Sequence, residues 1–235
     1  MNDEIKNFSN MDDKKIIKNM KKITGKVSDA RPILQHIYYN DNTIVATDSH
    51  RLLQINKKHN KTNVLYNAKT GENGESFQQY PETSRIIPES ENANNKIIIN
   101  HDEIDLLIAI LKAYKGIKLD RLTLIIDKNQ EYYLMNYSDF NFNNNELLEH
   151  LNLNYKLKNI NLSDKPVHKI TFNVSYLLNA FEYLKDDVKT QDLTNSYYIY
   201  LTKENYPINK SSPDSCVKCY TMFLPFLLIK IDVFS

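Results

Sequence analysis

Tryptophan is absent from this chain, and glycine occurs only 4 times in 235 residues. So little glycine leaves no backbone loop of the kind that cradles a phosphate. Cysteine is equally scarce, with Cys216 and Cys219 forming a single C-x-x-C pair. A structural zinc takes four ligands, and no second pair or neighbouring histidine completes the set. A redox pair would want a helix N-terminus to lower its thiolate pKa. Residues 217–223 read instead as a strand, on which positions three apart face opposite sides. Two reduced thiols are therefore expected, with no metal and no cofactor. Long apolar runs are missing too: residues 223–231 are the nearest candidate, and Pro225 interrupts them. A membrane span needs about 18 or more apolar residues. The opening Met1-Asn2-Asp3-Glu4-Ile5-Lys6 lacks the apolar core of a signal peptide. A soluble cytoplasmic protein with no membrane partner is the expectation.

Excess charge of either sign is also lacking, since 30 basic residues meet 29 acidic ones. That balance excludes a wholly basic nucleic-acid coat and leaves the function to a local patch. Hydrophobic residues at 41% and aromatics at 11% suffice for a real core, so disorder throughout is excluded.

A pattern recurs along the chain: a short strand, a helix capped by Asn or Ser, then more strands. Residues 8–10 lead into a helix over 12–27, with Ser9 and Asp12 in capping-box spacing. Residues 97–100 lead into a helix over 101–114, with Asn100 and Glu103 as a second capping box and Gly116 as its stop. Residues 170–173 lead into a helix over 174–184 with Asn173 as cap. Strands are expected at 33–39 and 43–47, at 122–126 and 132–136 (with Lys128-Asn129 as the turn), and at 197–201 and 219–224. Between 56 and 88 the pattern gives strands without a helix. Residues 67–79, with Gly71 and Gly74, read as a turn-rich loop. A polar stretch from Pro88 to Asn95 marks the expected boundary between domains at 1–90 and 91–235. The fold class implied is α+β, with helices packed on antiparallel sheets.

The first helix gathers Lys14, Lys15, Lys18, Lys21 and Lys22 on one face and Ile16, Ile17, Met20, Ile23 and Val27 on the other. A solvated face on an ordinary amphipathic helix has the same pattern. Five lysines without an acid among them also suit a helix that contacts DNA phosphates. The other two helices do not repeat it.

Ala46-Thr47-Asp48-Ser49-His50-Arg51-Leu52 is the densest polar cluster, and Asp48, Ser49 and His50 are the residue types of a nucleophilic triad. Such triads are assembled from sequence-distant residues beside an oxyanion hole. Neighbours on one strand face alternate sides, and the chain has no glycine-flanked serine elbow. The other histidines, His36, His59, His101, His150 and His168, show no metal-ligand spacing. No catalytic residue is expected.

Four segments, in order, resemble the bacterial DNA sliding clamp, the β subunit of DNA polymerase III. Ala30-Arg31-Pro32-Ile33-Leu34 followed by residues 44–52 is similar to the signature of the clamp's middle domain. Residues 80–88 resemble the segment that closes that domain. Phe172-Asn173-Val174-Ser175-Tyr176-Leu177-Leu178 resembles the start of the last helix of the C-terminal domain. Residues 220–225 resemble the final strand with its hydrophobic-Pro pair. The resemblance implies a DNA-clamp fold with one complete and one truncated clamp domain, the clamp's N-terminal domain being absent. It also implies a hydrophobic cleft that binds short linear motifs of polymerases and repair proteins. Carried over, the cleft comprises Arg31, Leu34, Thr47, Ser49, His50, Arg51, Leu52, Pro88, Asn173, Tyr176, Met222, Leu224 and Pro225. The apolar members would form anchor pockets and His50, Arg51 and Asn173 would orient the ligand.

Two functions fit. One is a reduced processivity factor that assembles as a homo-oligomer around double-stranded DNA and tethers a polymerase. The other is a non-encircling module that captures or competes for clamp-binding peptides. An apolar stretch at 226–235 follows the final proline, and exposing it would cost about 25 cal/mol for each Å². It is expected to extend the domain's own core. Alternatively, Lys230-Ile231-Asp232-Val233-Phe234 resembles the Gln-Leu-Ser/Asp-Leu-Phe motif that clamps bind, and would then occupy the cleft.

Overall fold

Asp12 starts the first helix because its extended backbone lets its carboxylate accept the Lys14 N–H at 3.3 Å. Helix α1 then runs Asp13–Thr24 and buries Ile16, Asn19, Met20, Ile23 and Thr24. The computed structural model describes residues 9–74, 79–83, 95–126, 132–135, 155–157, 159–162, 169–188 and 197–201. Ser9 is not a cap, contrary to its capping-box spacing. Its hydroxyl donates to the Asp187 carboxylate at 3.0 Å, a charged acceptor from the far end of the chain. The helix also stops three residues short of Val27, which turns away to pack in a separate apolar cluster.

Pro32 at the first position favours a tight turn, so residues Pro32–Gln35 form a 3-10 helix rather than the start of a strand. Strand β1 (His36–Asn40) follows. Strands β2 (Thr43–Thr47), β3 (Leu52–Asn56), β4 (Val64–Asn67) and β5 (Glu72–Gly74) complete a five-stranded sheet in the order β3-β2-β1-β4-β5. Of the stretch expected as a turn-rich loop at 67–79, residues 68–71 are the turn and Glu72–Gly74 the second strand of the β4–β5 hairpin. Gly71, at φ +80°, takes the left-handed position of its turn.

Strand β6 (Asn95–Ile99) leads into helix α2 (His101–Gly116), and Glu103 accepts the Asn100 N–H at 3.2 Å in the expected capping box. The left-handed residue that ends α2 is Lys118 at φ 60°, not Gly116. Strands β7 (Arg121–Ile126), β8 (Tyr132–Met135), β9 (Tyr155–Leu157), β10 (Asn159–Leu162) and β11 (Lys169–Asn173) precede helix α3 (Val174–Val188), and β12 (Tyr197–Leu201) follows it. They form a four-stranded sheet, β11-β7-β8-β9, and a three-stranded sheet, β10-β6-β12. Every described pairing is antiparallel. The architecture is α+β, as the capped-helix pattern implies, with three α-helices among the described residues.

Met11, Ile16 and Met20 share one core with Ile37, Ile44, Leu107, Leu111, Phe181 and Leu184. Side chains on both sides of the expected boundary thus pack together, and α3 lies against both α1 and α2. The boundary stretch at 88–94 falls outside the described residues, as do the Lys128-Asn129 turn, both cysteines, His150, His168, the strand expected at 219–224 and the tail at 226–235.

Asp187 on α3 is 2% exposed. Burial pushes its carboxyl above the ordinary value, against the Ser9 hydrogen bond and the charge of Lys15. A carboxyl raised in the folded state holds its proton more tightly there than when unfolded. Its contribution is fully present below the unfolded pKa, near 3.9, and is lost as pH rises through the folded value. Asp187→Asn should therefore gain stability over the wild type as pH rises above about 4, the two converging in more acid solution. Urea melts at a series of pH values test this, and a constant gap between the proteins would contradict it.

Candidate functional site

Residues 48–51 form the turn between β2 and β3, so the strand alternation that argued against a triad does not apply there. The Asp48 carboxylate folds the turn by accepting the backbone N–H of His50 and of Arg51, each at 3.0 Å. Thr47 is buried, and its hydroxyl donates to the Arg51 carbonyl at 2.8 Å while accepting the Ser49 N–H at 3.2 Å. Ser49 sits at φ 73°, a left-handed backbone that disfavours bulky or branched residues and suits glycine. The turn holds Ser49 and His50 out in solvent and sends Arg51 inward.

The Arg51 side chain is 10% exposed and its partner Asp48 8%, with Nε 2.9 Å from Oδ2. Nη2 donates to the Lys22 carbonyl at 2.7 Å, tying the turn to the C-terminal end of α1. The guanidinium lies over the Tyr176 ring, 4.4 Å from its centroid. Nη1 is buried and makes no hydrogen bond. Tyr176 stands in the first turn of α3, where Asn173 caps the helix by accepting the N–H groups of Ser175 at 2.9 Å and Tyr176 at 3.3 Å. Burial raises the Tyr176 hydroxyl pKa, as does the charge of Asp48, while Arg51 pulls it down.

Arg31, exposed at the mouth of the 3-10 helix, donates to the Ser49 hydroxyl at 2.7 Å. A guanidinium cannot take up the serine proton, so this contact does not activate Ser49 as a nucleophile. Beneath the turn, Leu34 and Leu52 join an apolar cluster with Val27, Val45, Leu65 and Tyr80. Tyr80 stacks on Tyr38 with centroids 4.8 Å apart, and burial pushes its hydroxyl well above the ordinary value.

Nine of the thirteen expected cleft residues are thereby placed: Ser49, His50 and Arg51 on the turn, Thr47 and Leu52 at the strand ends that flank it, Arg31 and Leu34 beside it, and Asn173 and Tyr176 across from it. Pro88, Met222, Leu224 and Pro225 lie outside the described residues. Sequence reasoning missed Asp48 and Tyr80 as organisers of this site. The Asp-x-x-Arg spacing of an Asx turn was the signal for the first. Among the described residues, no group of three His, Cys, Asp or Glu is placed to hold a metal. No helix among them is long and apolar enough to cross a membrane.

On α1, Lys14, Lys18 and Lys21 are exposed and Lys15 and Lys22 half-buried. The face is not an uncompensated row. Lys18 lies 3.0 Å from Asp186 and Lys22 2.8 Å from Glu182, both on α3, and the Asn19 amide donates to Asp186 at 3.0 Å. Burial raises both carboxyls, but these lysines and the Asn19 amide more than offset it and hold the two pKa values below the ordinary range.

No family model matches the chain, and no curated protein does. Solved structures do. The sliding clamp of Bartonella birtlesii bound to griselimycin is 17% identical, with 80% of this chain covering 57% of that one at a TM-score of 0.53. The C. crescentus β sliding clamp is 15% identical over 81% of this chain and 60% of that one, at 0.51. The DNA polymerase III β subunit of Thermotoga maritima is 12% identical over 85% and 62%, also at 0.51. The fold is a DNA-clamp fold, and the chain matches only about 60% of the length of these clamps.

Proposed function

We propose that the chain is a non-enzymatic, clamp-like replication factor that seats a short linear motif of a polymerase or repair protein beside the Arg51–Tyr176 junction. The observation that carries this is the stack of Arg51 on Tyr176, which joins two distant parts of the chain at one point. Exposed His50 and Arg31 flank it, with Leu34 and Leu52 beneath. Polar donors beside apolar side chains suit an extended peptide that offers carbonyl oxygens and aliphatic anchors. Residues 1–90 then act as a truncated middle domain and residues 91–235 as the C-terminal clamp domain. The α1 lysines would rest on double-stranded DNA, within a ring of several copies.

A second reading is a module that takes up the same peptides without encircling DNA. The pairing of Lys18 and Lys22 with α3 carboxylates favours it, because lysines already paired release fewer counterions from DNA. Mass in solution with primed circular DNA separates the two. A closed oligomer retained on the circle and released on linearisation supports the ring, and a monomer that never loads supports the module.

Leu52→Asp tests the peptide seat common to both. A labelled peptide carrying Gln-Leu-Ser-Leu-Phe should bind the wild type, and the variant about 30-fold or more weaker, the removal of an apolar anchor worth roughly 2 kcal/mol. Fluorescence polarisation reads the affinity and circular dichroism the fold. Equal affinity in a folded variant removes the assignment.

A further inference from the structure

The peptide seat combines an apolar floor with a cationic rim. Leu34 and Leu52 belong to the apolar cluster beneath it, and Arg31 and His50 stand exposed above. Arg31 spends one N–H on the Ser49 hydroxyl. Among the described residues, neither its side chain nor that of His50 meets a carboxylate. Asp48 adds no free negative charge, because Arg51 and two backbone N–H groups take its oxygens. Arg51 keeps a donor in reserve, since Nη1 is buried with no hydrogen-bond partner among the described residues. A fitting occupant therefore brings aliphatic side chains and one carboxylate.

A segment of that chemistry lies in the same chain, outside the described residues. Residues 226–234 are apolar at every position except Lys230 and Asp232. As an extended peptide, Ile231 and Val233 fall on one side and Asp232 on the other, matching floor and rim. The rest of the described surface suits it less. Its large exposed apolar side chains are Leu106 and Ile117, about three turns apart along α2, and exposed Asp102 stands one turn from Leu106. Reach is no obstacle. Residues 202–229 separate the segment from the end of β12 at Leu201. Their contour extends to about 90 Å, whereas a chain of 235 residues folds to a radius of gyration of about 18 Å.

We infer that residues 230–234 dock in the peptide seat of their own chain and hold off a partner's motif until it outcompetes them. This regulation rests on the seat being a peptide site, as proposed, and adds an internal competitor to it. Ile231 and Val233 take the places of the partner's aliphatic anchors over Leu34 and Leu52, and Asp232 faces Arg31 and Arg51. A segment tethered through a few tens of residues is held near its site at an effective concentration on the order of 1 mM. With an intrinsic Kd of roughly 0.1 mM it fills the seat about nine-tenths of the time, and an external peptide binds about tenfold more weakly.

Fluorescence polarisation with the labelled Gln-Leu-Ser-Leu-Phe peptide is the test. A chain ending at Ile229 should bind it about tenfold more tightly than the full chain. Asp232→Lys in the full chain should give part of that gain, about threefold, with no residue removed. A synthetic peptide of residues 229–235 should displace the label from the shortened chain with a Kd of roughly 0.1 mM. Leu52→Asp in the shortened chain should abolish label binding and so mark the seat as the site. Equal affinity of the full and shortened chains, with no displacement by the synthetic peptide, overturns the proposal and leaves the seat intact. A deletion that lowers the melting temperature while affinity stays the same also overturns it, and places the segment on the domain's own body. A shortened chain that does not bind the label removes the seat, and the docking with it.

Discussion

Arg51→Ala should lower the free energy of unfolding by about 3–5 kcal/mol, because it strips the partner from a buried carboxylate. Asp48 is 8% exposed and has Arg51 Nε at 2.9 Å. Its other oxygen is committed to the turn's own backbone. Without the guanidinium the negative charge stays buried, and the ring of Tyr176 and the carbonyl of Lys22 are left without their cationic neighbour. Two comparisons apportion the effect. Tyr176→Leu removes only the face of the ring and should cost about 1–2 kcal/mol. Arg51→Ala with Asp48→Asn should cost less than the sum of its single changes, since the orphaned charge is gone. Urea denaturation of the wild type and the four variants, Asp48→Asn among them, measures all three. An Arg51→Ala protein within about 0.5 kcal/mol of the wild type would mean that water reaches the pair as easily as it reaches a surface bridge.

Helices are the most legible part of this chain. Asn100 with Glu103 and Asn173 before Val174 both announce helix starts that the structure keeps. Capping is a local device, so residues a few positions apart suffice to show it. Ser9 misleads for the converse reason. Its partner is Asp187, and no local pattern reports a contact between residues so far apart in sequence. The ends of α1 and α2 are displaced likewise, by the tertiary packing of Val27 and by a left-handed lysine where glycine stands two residues earlier. Strands β9 (Tyr155–Leu157) and β10 (Asn159–Leu162) do alternate apolar and polar residues, but they are too short for the alternation to stand out.

The site is legible as residues and illegible as geometry. Thr47 to Leu52 stand out as a dense polar string, for which strand alternation is the simplest reading. The Asp48 side chain converts the string into a turn, and only then does Arg51 point inward while Ser49 and His50 point out. That Arg51 meets Tyr176 across the fold depends on α3 packing against α1, which periodicity does not reveal. The lysine face shows the same limit from the other side. A helical wheel of α1 contains no acid among its lysines, yet α3 supplies Asp186 and Glu182.

That pairing makes the DNA reading testable in both directions. Lys14→Glu, Lys18→Glu and Lys21→Glu together should weaken duplex binding by about two orders of magnitude at low salt. The slope of log affinity against log salt should fall by about 0.9 for each phosphate that is no longer neutralised. Lys18→Glu also sets a new negative charge beside Asp186. A variant changed only at Lys14 and Lys21 therefore separates weakened phosphate neutralisation from a disturbed α1–α3 seam. The opposite change is more telling. Asp186→Asn and Glu182→Gln remove the carboxylates that hold Lys18 and Lys22, so both ammonium groups become available to phosphate. Duplex affinity should then rise about tenfold and the salt slope steepen, even as the seam between α1 and α3 gives up two ion pairs. Fluorescence anisotropy across a salt series measures both slopes. A wild type without duplex binding, or slopes that ignore all of these changes, would leave the lysines as a solvated face partly tied to α3. The proposed peptide seat would then be the remaining functional reading.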